Sequence, residues 1–134
     1  MTNLDAGVRN TPYSDEELEH FEKLLKEEHK AALKEKKRLQ ESLEDLEKTD
    51  DDKSSSQAHH SGNIGSEEEE KETLFTLIQK EEEKLEKIDA ALNRIEQKTY
   101  GVCQATGKKI RKERLEAIPY ARYSIAAKEN NETP

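Results

Sequence analysis

The chain contains little of what builds or cross-links a compact globule. Its 134 residues include no Trp, two Phe and one Cys, and charged residues (40%) outnumber the apolar set (31%). A single cysteine excludes an internal disulfide framework, and no apolar run is long enough to span a bilayer. This composition is typical either of long two-faced helices, which bury one narrow stripe, or of disorder.

Charge is distributed unevenly along an acidic chain. The formal net charge of -8 argues against wrapping duplex DNA through its phosphates. Residues 67–72 carry five Glu and one Lys, whereas residues 98–128 carry eight Lys or Arg against two Glu. A basic segment of this kind fits contact with nucleic acid, a nucleotide phosphate or an acidic protein surface. Residues 1–13 have neither a basic start nor an apolar h-region, so we expect a cytoplasmic protein.

Two heptad patterns predict two long helices, over about 14–48 and 66–98, joined by a tip loop at 49–65. Ser14 with Glu17 and Ser66 with Glu69 fit capping boxes at the two helix starts. Apolar or small residues then recur at alternating steps of three and four. The first seam contains Leu18, Phe21, Leu25, Ala32, Leu39, Leu43 and Leu46, with His29 and Lys36 at its two weak positions. The second contains Leu74, Ile78, Glu81, Leu85, Ile88, Leu92 and Ile95, and only Glu81 breaks its apolar pattern.

The expected fold is mainly α: an antiparallel coiled-coil helical hairpin with a small C-terminal, zinc-finger-like head that lacks the metal. One short loop tethers two matched stripes at high effective concentration, which favours pairing within one chain and a monomer. Pairing of each helix with another chain is the alternative. We expect a flexible N-terminal segment (1–13), the hairpin (14–98), the head (99–128) and a flexible tail (129–134).

The head carries the spacing of a four-ligand zinc module but not its ligands. Cys103, Thr106, Ser124 and Ala127 stand at C-x2-C … C-x2-C spacing, and only the first is a cysteine. A structural zinc needs four thiolate or imidazole ligands on a tetrahedron, so we expect no metal and no other cofactor here. The head must then fold by packing, and the residues expected to supply its core are Ile110, Leu115, Ala117, Ile118, Tyr120, Tyr123 and Ile125.

The head sequence resembles the DksA/TraR family of bacterial transcription factors. The matching residues are Tyr100-Gly101-x-Cys103, Gly107, Ile110, Arg114-Leu115-x-Ala117, Pro119 and Ala121. The resemblance implies a protein that binds RNA polymerase directly, with its coiled coil in the secondary channel and its head on the outer rim. It also implies that the alarmone guanosine tetraphosphate (ppGpp) is a candidate effector.

The chain departs from the family pattern at the tip. Family members often carry an acidic D-x-x-D-x-A motif there, but the corresponding stretch around 60–63 has no Asp. Asp50, Asp51 and Asp52 are the candidate substitutes.

The resemblance also assigns basic contacts. Lys80 corresponds to a rim contact, and Lys87 and Lys128 correspond to alarmone contacts, while Ile118 replaces an expected arginine. The basic head residues that we expect to anchor to the polymerase are Lys108, Lys109, Arg111, Lys112 and Arg114.

The functional hypothesis is therefore a transcription regulator that binds RNA polymerase through the secondary channel. A coiled-coil scaffold with another partner and a small nucleic-acid-binding protein are the alternatives. An enzyme is not expected, because no serine or cysteine nucleophile has a histidine partner at a recognisable spacing.

Overall fold

The structure, a computed structural model, describes residues 11–52 and 61–129; for 49–52, 61–65 and 128–129 it describes the backbone only. Four helices follow one another along the chain: α1 (Asp15–Asp52), α2 (Ser61–Glu96), α3 (Lys112–Ala117) and α4 (Ile125–Glu129). Within these described ranges there is no β-strand, only one isolated antiparallel bridge between Val102 and Lys109. The mainly helical fold expected from the sequence is confirmed.

The chain divides into two compact units, and α1 and α2 contribute to both. The head unit comprises Met1–His29 and Glu86–Pro134, and the helical unit comprises Lys30–Leu85. No helix in the described part of the chain is long and apolar enough to cross a membrane.

In the helical unit, the heptad seams are the buried faces of the two helices. Ala32, Leu39 and Ile78 are buried, and the remaining seam positions, including the polar Lys36 and Glu81, are half-buried. Lys36 reaches Glu82 across the pair, with its Nζ 3.1 Å from the carboxylate. A lysine at a seam position is tolerated because its apolar stem packs while its charged end finds a carboxylate.

Both long helices extend further than the sequence pattern predicted. The structure has helix to Asp52 and again from Ser61, where a loop over 49–65 was expected. Ser66 therefore lies inside α2, and the capping box predicted with Glu69 does not mark the helix start. The seam spacing gives the reason: positions 64, 67 and 71 continue the steps of three and four, and Glu67 is buried with only 9% of its surface exposed.

In the head unit, the first turn of α1 is capped as predicted. The Ser14 hydroxyl accepts a hydrogen bond from the Glu17 amide at 3.1 Å, and the Glu17 carboxylate accepts one from the Ser14 amide at 2.9 Å. The α1 and α2 segments of this unit run antiparallel. Nζ of Lys98 lies 3.3 Å from Oδ1 of Asp15, and Nε2 of His29 lies 3.3 Å from Oδ1 of Asp89.

The end of α2 is closed by a Schellman motif. Lys98 adopts a left-handed conformation (φ 61°), which is uncommon for a residue with a side chain. The Thr99 amide donates to the Arg94 carbonyl (2.9 Å), and the Lys98 amide donates to the Ile95 carbonyl (3.1 Å). These are the two bonds that define the motif.

Tyr100 lies at the centre of the head unit. Its side chain is fully buried, its ring packs 5.4 Å from the Phe21 ring, and its hydroxyl donates to the Pro119 carbonyl at 2.6 Å. Burial raises the pKa of this phenol well above its usual value, so it stays protonated and donating. The core around it contains Tyr13, Leu18, Phe21, Leu25, Ile88, Ala91, Ile95, Cys103, Ile110, Leu115, Ala121 and Ala127.

The head core differs in part from the predicted set. Ile110 and Leu115 are buried, and Ile118, Tyr120 and Tyr123 are half-buried against them. The prediction was wrong for Ala117 and Ile125, which are exposed. Both belong to helices of five or six residues, α3 and α4, where only one face of barely two turns can reach the core.

The last residues of the segment expected to be flexible, Thr11–Tyr13, are fixed to the head. The Thr11 amide donates to the Lys98 carbonyl at 2.9 Å, and the Thr11 hydroxyl donates to the Tyr100 carbonyl at 2.5 Å. Tyr13 is buried, its ring stands edge-on to Phe21, and its hydroxyl donates to the Ile110 carbonyl. A segment of three residues thus joins α1 to the head by packing and hydrogen bonds.

We predict that Gly101→Ala destabilises the head far more than Gly107→Ala. Both glycines have positive φ (86° and 75°), which costs any residue with a side chain about 1 kcal/mol. A Cβ at Gly101 would also stand 2.5 Å from the Tyr13 ring, whereas a Cβ at Gly107 would meet nothing within 4 Å. Overpacking adds roughly 1–3 kcal/mol.

Urea unfolding followed by circular dichroism measures both variants against the parent. Equal losses of stability in the two variants would show that Tyr13 does not pack against Gly101.

Candidate functional site

The first half of the head is a tight turn over residues 101–110. The Cys103 amide donates to the Lys108 carbonyl and the Gly107 amide to the Cys103 carbonyl, both at 2.7 Å. The Ile110 amide donates to the Gly101 carbonyl at 2.8 Å, which closes the turn at its base. Gly107 takes the left-handed conformation that this turn requires. The turn therefore presents residues 104–109 to solvent and Cys103 to the interior.

The second half of the head meets the first at the Cys103 sulfur. The Ser124 amide donates to Sγ of Cys103 at 3.3 Å, and the Gln104 amide donates to the Arg122 carbonyl at 2.8 Å. The Ser124 hydroxyl accepts from the Ala127 amide at 3.1 Å, so Ser124 caps α4. The fold therefore brings together the four positions, 103, 106, 124 and 127, at which a zinc module carries its ligands.

The side chains at these positions do not fit zinc. The Ser124 hydroxyl is used as a helix cap, the Thr106 hydroxyl accepts from the Lys108 amide at 3.2 Å, and Ala127 offers only a buried methyl group. One thiol among two hydroxyls and a methyl is not a tetrahedral zinc set. In the described ranges, no group of three or more His, Cys, Asp or Glu could hold a metal ion. The head is assembled by packing and hydrogen bonds to sulfur.

Cys103 is a buried thiol whose surroundings favour its ionised form. Burial raises its pKa, but the Thr106 hydroxyl and the amides of Ser124, Thr106 and Ala105 donate to sulfur and together lower the pKa to about 6. Several donors around one sulfur stabilise a thiolate in the same way that they stabilise a carboxylate. The Cys103 sulfur thus lies among hydrogen-bond donors from both halves of the head.

The structure divides the predicted basic anchor residues into two groups. Lys109 lies over the Tyr13 ring (5.0 Å to the centroid), Lys112 pairs with Glu17 (3.5 Å), and Arg114 donates to the Tyr123 carbonyl (2.7 Å). These three side chains are engaged within the head unit. Lys108 and Arg111 are exposed, and neither forms an ion pair with any described residue. They are the predicted anchors that remain available to a partner.

The other predicted contact residues lie on the long helices or at the end of the head. Lys80 is exposed on α2 in the helical unit, and it lines a shallow groove with Glu69, Glu72 and Leu77. Lys87 is exposed on α2 in the head unit. Lys128 belongs to α4, but its side chain lies outside what the structure describes.

The predicted tip carboxylates lie on α1 and not in a loop. Asp50, Asp51 and Asp52 form the last residues of that helix, and their side chains are outside the described part. The stretch around 60–63 lies partly outside the described residues. The role assigned to these aspartates stays a prediction.

Sequence reasoning missed two arginines, Arg94 and Arg122. Arg94 is half-buried although it lies on a helix rich in exposed charges, and Arg122 is exposed in the loop before α4. Their surroundings depend on how the 119–123 loop folds onto α2, and no local sequence signal reports that.

The head of the chain matches a known protein family. Residues 98–132 match the family model described as the prokaryotic dksA/traR C4-type zinc finger. The chain is 46% identical over 52 residues to general stress protein 16O of Bacillus subtilis, a match covering 39% of this chain and 32% of that protein. It is 48% identical over 48 residues to the RNA polymerase-binding transcription factor DksA of Caulobacter vibrioides, covering 36% and 34%. The matched stretches thus span about a third of the length of these curated relatives.

A solved structure extends the likeness over most of the chain. Transcription factor DksA2 from Pseudomonas aeruginosa is 30% identical, with a TM-score of 0.71, and the match covers 86% of this chain and 82% of that one. Fold and site together define a helical protein with a zinc-finger-like head whose ligand set is incomplete. The chain belongs to the DksA/TraR family. Members of this family are transcription factors and not enzymes, in agreement with the sequence expectation.

We predict that the stability of the head rises between pH 6 and pH 9 because of Cys103. The folded pKa (about 6) lies below the ordinary value of 9.0, so the unfolded chain binds the proton more tightly over this range. The stabilisation is complete above pH 9 and is lost as the pH falls through 6. Each tenfold change in proton affinity is worth about 1.4 kcal/mol, which sets an upper limit of roughly 4 kcal/mol.

The measurement is the free energy of unfolding against pH for the parent and for Cys103→Ser, with thiolate absorbance near 240 nm as a direct readout. Subtracting the variant's curve removes the contribution of the histidines. Parallel curves for the two proteins would contradict a thiolate at this position.

Proposed function

We propose that this protein is a transcription regulator that binds RNA polymerase directly, with its paired helices in the secondary channel. The observation that carries the proposal is the match to DksA2 over most of both chains, together with a curated relative named as an RNA polymerase-binding transcription factor. The family relationship supports RNA polymerase as the partner. The contacts described above suggest which residues bind it.

The head supplies the proposed electrostatic contact. Lys108 and Arg111 are exposed and have no internal counter-charge among the described residues, so forming a salt bridge with a partner breaks none inside the molecule. Lys98 and Lys112, in contrast, already pair with Asp15 and Glu17. The two pairs carry equal charge in the same unit, and they differ in whether that charge is already compensated.

The tip aspartates supply the proposed effect on transcription. Asp50, Asp51 and Asp52 place three carboxylates at consecutive positions on one helix end. Carboxylates brought near an active site that uses Mg²⁺ would alter its local charge and the groups that hold the metal. This role is separate from binding, so it can be lost while affinity is kept.

Guanosine tetraphosphate is proposed as a candidate co-regulator, through Lys87 and Lys128. Lys87 is exposed and so is accessible to a phosphate group. Ile118, at the position where the family resemblance implies an arginine, offers no guanidinium fork, which weakens phosphate binding there. We therefore expect any alarmone effect to be small.

Binding to purified bacterial core RNA polymerase tests the proposal. We expect the parent to bind at micromolar concentration in low salt, and Lys108→Ala with Arg111→Ala to weaken binding about tenfold, or ~1.4 kcal/mol. The control, Lys98→Ala with Lys112→Ala, removes the same charge and should bind nearly as the parent does. Absence of binding by the parent would remove the proposed function, and equal effects of the two double variants would remove the assigned anchors.

In vitro transcription tests the tip. Changing Asp50, Asp51 and Asp52 to Asn should abolish the effect on initiation while affinity for the polymerase stays within about twofold, since the anchors are intact. The control changes Glu27, Glu83 and Glu86, exposed carboxylates of the two long helices, to Gln. Reactions with and without guanosine tetraphosphate report its contribution. Full activity of the Asn variant would show that these carboxylates have no role.

A further inference from the structure

The seam of the helical unit contains charged residues on both helices. Lys36 of α1 and Glu81 of α2 occupy seam positions, and both are half-buried, whereas the seam residues Ala32, Leu39 and Ile78 are buried. A charged side chain at such a position lowers the stability of a coiled coil, because a leucine there would bury more apolar surface. Two charges in one short stretch of seam therefore point to a role in helix pairing.

One contact places the two charges at the same level of the seam. Nζ of Lys36 lies 3.1 Å from Oε2 of Glu82, the residue that follows Glu81. For helices that run in opposite directions, counting outward from this contact puts Leu39 level with Ile78 and Lys36 level with Glu81. The lysine is thus level with one carboxylate and in contact with the next. Lys36 and Glu81 together are the polar layer.

The polar layer matches only the observed register of α1 on α2. Sliding one helix by a heptad, about 10 Å, keeps seam against seam but changes which residues are level. In one direction Lys36 becomes level with Leu74, and in the other direction Glu81 becomes level with Leu43. Each slip therefore leaves one seam charge opposite an apolar side chain, which costs free energy.

The polar layer also opposes pairing of like helices from two copies of the chain. Two α1 helices in register and in the same direction would bring Lys36 against Lys36, and two α2 helices would bring Glu81 against Glu81. Like charges that face each other in a seam repel. Pairing of α1 with α2, in contrast, gives each of the two charges an opposite one.

We propose that the polar layer of Lys36 and Glu81 selects the pairing partner of each long helix. It directs α1 onto α2 in a single register and rejects the like helix of a second copy, at a cost in apolar burial. Since α1 and α2 follow each other in one chain, this selection favours a monomer. The inference concerns helix pairing alone, so it stands whether or not the proposed function holds.

Sedimentation equilibrium of the full chain tests the selection of partner. The parent should keep the mass of a monomer from about 5 to 200 μM, whereas Lys36→Leu with Glu81→Leu should dimerise over that range. The control, Lys30→Leu with Glu83→Leu, makes the same exchanges at exposed positions of the same unit and should stay monomeric. A leucine seam variant that stays monomeric, or a parent that dimerises, would overturn the proposal.

Exchanging the charges within the layer gives a second readout, the midpoint of unfolding in urea. Lys36→Glu places like charges together and should lower the midpoint by about 0.5–1 M. Lys37→Glu, the same change at the exposed neighbouring position, should leave it nearly unchanged. Adding Glu81→Lys to Lys36→Glu should recover most of the loss, because the layer again holds opposite charges. Absence of that recovery would show that Lys36 is only a solvated side chain and would contradict the proposal.

Discussion

The buried packing of Tyr100 is the interaction on which the head unit depends. Its ring contacts Phe21 of α1, its hydroxyl is bound by the Pro119 carbonyl, and its own carbonyl accepts from Thr11. One residue thus touches the first helix, the loop after α3 and the segment before α1. Burying an aromatic side chain of this size contributes roughly 1.5–3 kcal/mol, and its hydrogen bonds are made where water is excluded. A small module without a metal needs a centre of this kind.

The head brings its two halves together without a zinc ligand set. The turn at 103–107 and the start of α4 still meet at the Cys103 sulfur, and amide donors still point toward it. A metal would connect the two halves by four strong bonds that also release protons. Here a single sulfur accepts several weaker bonds, while Ala127 fills with a methyl group the space that a fourth ligand would occupy. Packing supplies the remaining stabilisation of the head, because Tyr13 reaches into it from the N-terminal segment.

The contacts inside the head also decide which of its positive charges are available to bind a partner. The basic segment at 98–128 suggests one continuous positive patch. Within the head unit, however, most of these cations already contact other residues of the chain. Lys109 covers the Tyr13 ring, Lys112 pairs with Glu17, and Arg114 fixes the 123 carbonyl. Among the predicted anchors whose side chains are described, exposed Lys108 and Arg111 near the turn are the ones left for a partner. Affinity for a partner is set by such free charges, because an ion pair that must first be broken gains little.

The sequence by itself determined the two long helices, their buried seams, the capping of α1 by Ser14 and of α4 by Ser124, and the absence of a zinc ligand set. Those features depend on spacing along the chain and on side-chain chemistry, which are local. The tertiary structure alone decided that Tyr13 packs against Gly101. It also decided which of the described cations are paired with carboxylates. These outcomes join residues up to 97 positions apart in the chain, and a contact between such residues exists only once the intervening elements have packed.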